Sequence, residues 1–152
     1  MEPRGVDTRL SRADLLLRHG DLDGAMADVR TGLAVSPDEP RLSCLLGTVH
    51  LERDELEAAL DALGRSVALD AEYPAALLNR AVAYYRSGQG QRSADDLTKV
   101  LAIVGDDPDV LLNRALAYRS IGRDDLAVAD LDRALELPGP TWPNCGGSAM
   151  PA

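Results

Sequence analysis

Residues 74–107 read PAALLNRAVAYYRSGQGQRSADDLTKVLAIVGDD and residues 108–141 read PDVLLNRALAYRSIGRDDLAVADLDRALELPGPT, so LLNRAVAY at 77–84 returns as LLNRALAY at 111–118. The step is 34 residues, and it extends backward through the chain without insertion or deletion. Gly20, Asp54, Gly88 and Gly122 are spaced by it, as are Ala13, Gly47, Ala81 and Ala115, and Ala25, Ala59, Ser93 and Ala127. Pro40, Pro74 and Pro108 mark the same register. A fixed period of this length is the mark of stacked units, each burying its apolar face against its neighbours.

Inside a unit the apolar spacing is helical and divides in two. Leu111, Leu112, Ala115 and Tyr118 recur at the spacing of one helix face. Gly122 follows, and Asp124–Asp125 open a second helix carrying Ala127, Leu131, Ala134 and Leu135. The residue between the helices must be left-handed, which costs glycine nothing and which Asp54 also tolerates. Proline suits the first helical position, where its missing N–H is no loss. The pattern predicts helices at 7–19 and 23–35, 41–53 and 57–69, 75–87 and 91–103, and 109–121 and 125–137. The fold class expected is all-α, a solenoid of eight helices in antiparallel pairs. Units span 6–39, 40–73, 74–107 and 108–141. Residues 1–5 read as an N-terminal tail and 142–152, rich in Pro and Gly, as a disordered C-terminal tail.

Composition narrows the chemistry. Aromatic residues are 3% of the chain and Phe is absent, so Leu, Ala and Val must do the packing. Acidic residues outnumber basic ones, 25 to 16, and a net charge of −9 disfavours a nucleic-acid partner, whose phosphates call for Lys and Arg. Two cysteines, Cys44 and Cys145, make no disulfide framework and fit a reducing compartment. No stretch approaches 18 apolar residues, so a cytoplasmic protein with no membrane partner is expected. His19 ends a helix and His50 reads as a packed core histidine; no second ligand stands at metal spacing, so neither a metal nor a cofactor is expected. No catalytic triad, Walker loop or dinucleotide fingerprint occurs, and catalytic residues are expected to be absent.

The units resemble tetratricopeptide repeats over residues 6 to 141, and the resemblance implies that the α-solenoid is right-handed. Unit four offers Leu111, Ala115, Tyr118, Gly122, Ala127, Leu131 and Ala134 at the family's positions, and unit three offers Leu77, Ala81, Tyr84, Gly88, Ser93 and Leu97. Unit two offers Leu46–Gly47, His50, Ala59, Leu63 and Ser66; unit one offers Ala13, Leu16, Gly20, Ala25, Val29 and Gly32. Departures are Arg9 and Ser43 where bulk is expected, Val100 at a small site and Gly90 at a bulky one. Units one and three are therefore expected to pack loosely in places.

The seventh position of each unit is Arg12, Leu46, Arg80 and Arg114, and the twenty-third is Asp28, Ala62, Asp96 and Asp130. Arg always accompanies Asp, and Leu accompanies Ala. This predicts ion pairs Arg12–Asp28, Arg80–Asp96 and Arg114–Asp130 within units, setting register more than stability.

The resemblance implies a non-enzymatic scaffold binding a protein or peptide in a groove lined by first helices. Its charged positions balance, with Arg18, Arg41, Arg86 and Arg119 against Asp7, Asp14, Glu52 and Asp109. Leu78, Asn79, Val82, Tyr85, Arg86, Leu112, Asn113, Leu116 and Arg119 are the groove residues expected to hold a peptide, with Asn79 and Asn113 reading its backbone. The lysine-rich clamp that some co-chaperone domains close on a terminal carboxylate is missing: Cys44, Thr48, Asp109 and Asn113 flank Asn79 instead. A different reading is self-association, including a homodimer through an uncapped last repeat, with Trp142 as a candidate cover for Leu131 or Leu135. A third is a regulatory arm of a larger enzyme system.

Overall fold

The computed structural model describes residues 3–138, and among these it contains eight α-helices and no strand. They are α1 (Pro3–Arg18), α2 (Leu22–Val35), α3 (Pro40–Glu52), α4 (Leu56–Leu69), α5 (Pro74–Arg86), α6 (Gly90–Val104), α7 (Pro108–Ser120) and α8 (Asp124–Glu136). Every first helix ends in the same way. Gly20, Asp54, Gly88 and Gly122 take φ of 81°, 58°, 79° and 76°. The following amide then reaches back to a carbonyl five residues earlier, as in Asp21 N–H to Leu16 at 2.9 Å and Arg123 N–H to Tyr118 at 2.9 Å. This Schellman closure satisfies carbonyls that the helix end would leave open. Two starts are capped by aspartates: Asp107 accepts from the amides of Asp109 and Val110 at 2.9 and 3.1 Å, and Asp21 from Gly24 at 2.9 Å.

The first helix begins earlier than the period predicts, at Pro3 instead of residue 7, so residues 3–5 are helical and not tail. Proline is preorganised for a helix start. The extension is held by Val6 and Leu10, buried in a cluster with Leu42. Residues 139–152, including Trp142 and Cys145, lie outside the described residues, so the readings made on them stand as expectations only.

The chain divides into two compact units, 1–79 and 80–152, with the division inside α5. In the first unit α1 packs on α2, α2 on α3 and α3 on α4. Its core joins Val6, Leu10 and Leu42 with Leu33 and Leu45, and Ala25, Met26 and Val49 with Leu16, Leu17, Leu22 and Leu46. In the second unit α6 packs on α7 and α7 on α8, with Leu97, Val100, Val110, Leu111 and Ala117 buried.

Small residues set the helix approach. A Cβ on Gly90 would stand 2.8 Å from Ile121 Cγ2 and 3.1 Å from the Ala117 carbonyl, and nearer still to Ser120 Oγ. The expectation of looseness at this position is thus corrected: Gly90 is a point of close approach between α6 and the end of α7, because no side chain holds them apart. Val100 is also buried. In unit one, Arg9 does leave an imperfect fit, since its Nε is buried without a hydrogen-bond partner. Ser43, in the next repeat, likewise buries an unpartnered hydroxyl.

Candidate interaction surface

Three Arg–Asp pairs organise the repeats from within. Arg12 donates through Nε and Nη2 to Asp28 at 2.6 and 2.5 Å. Arg80 makes the same pair of bonds to Asp96 at 2.7 and 2.9 Å, and Arg114 to Asp130 at 2.7 and 2.6 Å. The bidentate geometry is the strong form of this interaction. Each Asp is buried. The hydrogen bonds from Arg12 hold the Asp28 carboxyl below its usual range, and Asp96 and Asp130 raise the guanidinium values of Arg80 and Arg114. In the second repeat, Leu46 packs against the cluster of Ala25, Met26 and Val49, and Ala62 is buried.

Two partners of these arginines escape a reading by position alone. Arg80 and Arg114 each lie 5.6 Å from the ring centroid of the tyrosine four residues on, Tyr84 and Tyr118, within cation–π range. An Arg–Tyr spacing of four on a helix was the available signal. Arg114 also donates through Nη1 to Thr98 Oγ1 at 3.0 Å, joining α7 to α6.

The expected groove residues divide sharply by environment. In the first unit, the Asn79 amide nitrogen donates to Thr48 Oγ1 at 3.0 Å and contacts Cys44 Sγ at 3.9 Å. Thr48 Oγ1 in turn donates to the Cys44 carbonyl at 2.9 Å, and the Tyr73 hydroxyl interacts with the thiol. Burial pushes the thiol up to about 11 and the Tyr73 hydroxyl up to about 12. Asn79 is therefore engaged with α3, while Leu78 is half-buried.

In the second unit, Asn113 is only 4% exposed and Val82 is buried as well. The expectation that Asn113 is open to a peptide backbone is corrected, whereas Asn79 is half-buried with its amide nitrogen taken by Thr48. The same residue type at the same register lies inside the helix packing, where a buried amide must be satisfied internally. The residues that do reach the surface here are Leu112, at 38% exposure, with Arg86 and Arg119 exposed and Tyr85 and Leu116 half-buried. On the same helix α7, Val110, Leu111, Ala115 and Ala117 are all buried. The surface residues can offer aliphatic contact flanked by a guanidinium.

Other chemistry is thin among the described residues. No group of three or more His, Cys, Asp or Glu is placed to hold a metal ion, and no helix is long and apolar enough to cross a membrane. His50 is half-buried beside Glu55, with Nδ1 3.6 Å from the carboxylate.

The family model of the tetratricopeptide repeat matches residues 10–76, 44–108 and 78–140. A search of curated proteins finds no match. Among solved structures, the chain is similar to a crystal structure of MamA at 25% identity and a TM-score of 0.79, covering 89% of this chain and 79% of that one. A second MamA crystal structure matches at 25% identity and 0.78, covering 88% and 73%. The chain is also similar to TTC0263, described as a thermophilic tetratricopeptide-repeat protein of Thermus thermophilus, at 25% identity and 0.73, covering 86% and 73%.

Proposed function

The chain belongs to the tetratricopeptide repeat family, and from that premise we propose that it is a non-enzymatic interaction module that binds a segment of a partner protein. The observation that carries this reading is the outer face of α7 in the second unit, where Leu112 stands exposed beside half-buried Leu116 and the exposed Arg119. An apolar residue held out of the core beside an exposed cation suits an aliphatic side chain followed by a carboxylate. Tyr85 and Arg86 occupy the corresponding turn of α5 and repeat the pairing of a large apolar surface with a guanidinium. Tyrosine and arginine are also the residue types that most often dominate interface energies. Asn79 serves as a positioning residue through its bond to Thr48 of α3, and buried Asn113 is withdrawn from the ligand.

Selection of linear peptides from a displayed library on the intact protein tests the reading. Selected peptides should carry an aliphatic residue near an acidic one, and Leu112→Asp and Arg119→Glu should each weaken them at least about tenfold, or 1.4 kcal/mol. Arg119→Glu should act mainly on the association rate and reduce its salt dependence. Failure to select any peptide, or binding that is indifferent to both substitutions, overturns the proposal.

A further inference from the structure

The two ends of the described chain expose residues that the same register buries everywhere else. Leu131 on α8 is 39% exposed, whereas Leu97, Leu63 and Val29, one, two and three periods earlier, are all at 0%. Leu135 on the same face is 84% exposed. At the other end, Leu15 on α1 is 56% exposed, whereas Val49, Ala83 and Ala117 are all at 0%. Leucines left open at both ends of the register are two halves of a seam the fold makes repeatedly.

Inside the chain that seam has a defined chemistry. Between α2 and α3, Met26 packs in one cluster with Val49, and Leu33 packs against the cluster holding Leu42. Between α6 and α7, Arg114 donates through Nη1 to Thr98. Carried forward by the period, Met26 becomes Val128 and Thr98 becomes Asp132 on α8; carried back, Val49 becomes Leu15 and Arg114 becomes Arg12 on α1.

We propose that α8 of one copy receives α1 of a second copy, head to tail, so that the repeat seam continues between molecules. Val128 then meets Leu15, and Asp132 meets Arg12 where Thr98 meets Arg114. The charge fits better than in the internal seam, since a carboxylate replaces a hydroxyl opposite the guanidinium. Arg12 is prepared for this: it holds Asp28 through Nε and Nη2, as Arg114 holds Asp130, but its side chain is 63% exposed against 19%. The seam between Gly90 and the Ser120–Ile121 pair carries over in the same sense, placing Asp124 of α8 against Arg18 at the end of α1 and His19 just after it. Because the two faces differ, the contact is heterologous, and every copy brings one of each.

The full chain and three variants, followed by sedimentation velocity over a range of concentrations, test this. Wild type should gain mass with concentration. Leu15→Asp and Leu135→Asp should each be monomeric, with unchanged far-UV melting because both positions are exposed. Mixed together they should form a one-to-one dimer and stop there, since each supplies the one intact face the other lacks. Asp132→Arg should raise the dissociation constant at least tenfold, and it serves in place of Leu135→Asp if that variant melts early. Wild type that stays monomeric throughout, as when residues 139–152 of its own chain cover α8, overturns the proposal. So does a Leu15→Asp variant that still dimerises, which would mean α8 against α8. The inference does not rest on the peptide-binding reading, because Leu15→Asp and Leu135→Asp should leave the affinity of a selected peptide unchanged.

Discussion

Arg114 grips Asp130 through two parallel hydrogen bonds while its third nitrogen reaches Thr98, so one guanidinium joins three helices' worth of register: its own α7, α8 and α6. The pair is partly buried, and neither charge has a comparable alternative in water if the other is removed.

Arg114→Leu alone should destabilise the protein by roughly 2–3 kcal/mol, because it strands a buried carboxylate. The double change Arg114→Leu/Asp130→Ala reproduces the apolar combination of Leu46 and Ala62 and should cost at least about 1 kcal/mol less than the single change. Denaturant melts of the four-member cycle measure the coupling. Strictly additive losses would mean that the two side chains act independently.

Asp28 provides a pH test. Its folded-state value is lowered by hydrogen bonds from Arg12, so its contribution to stability is present above the unfolded value of about 3.9 and is lost as pH falls through the lower folded value. Carboxyl NMR should show Asp28 titrating below the ordinary range, and Arg12→Leu should move it upward. A titration at the ordinary value in the wild-type protein would contradict the bidentate geometry.

Two glycines should respond in opposite senses. Gly90→Ala forces a methyl group against Ile121 and the Ala117 carbonyl and should cost about 1–3 kcal/mol. Gly64 lies inside α4 with nothing within 4 Å of the position a Cβ would take. Gly64→Ala should therefore stabilise by about 0.5–1 kcal/mol through helix propensity. Thermal melts of the two variants check both signs, and equal effects would count against close packing at Gly90.

Cys44 should be slow to react. Burial raises its thiol to about 11, and the thiolate is the reacting form. At pH 8, alkylation mapped to Cys44 by mass spectrometry should run at least about tenfold slower than for an unstructured thiol, with denaturant restoring the rate. Rapid labelling of Cys44 in the folded protein would show that the cluster with Thr48, Tyr73 and Asn79 opens readily.

Much of the helix framework was legible beforehand because it depends on local backbone chemistry. A residue that accepts positive φ every 34 positions marks where each first helix ends, and even Asp54 obeyed that rule. The predicted boundaries met the observed ones within about one residue, except at α1, where Pro3 lies outside the period. The Arg–Asp spacing was readable for another reason: the chain repeats the experiment on itself, and the unit that lacks Arg lacks Asp too.

The surface was less legible. Asn79 and Asn113 share a residue type, a register and nearly identical flanking sequence, yet one bonds Thr48 and the other is almost wholly buried. Gly90 looked like a missing side chain and is a point of close approach. The sequence by itself determined the all-α repeat, its period and the turns between helices, because hydrogen bonds closing within five residues and helical apolar spacing are set by neighbours along the chain. Only the tertiary structure decided which repeated residues face solvent, which amides are held internally and which leucines remain open at α1 and α8. Burial depends on the atoms that pack from other helices, and identical positions in a repeat do not have identical neighbours.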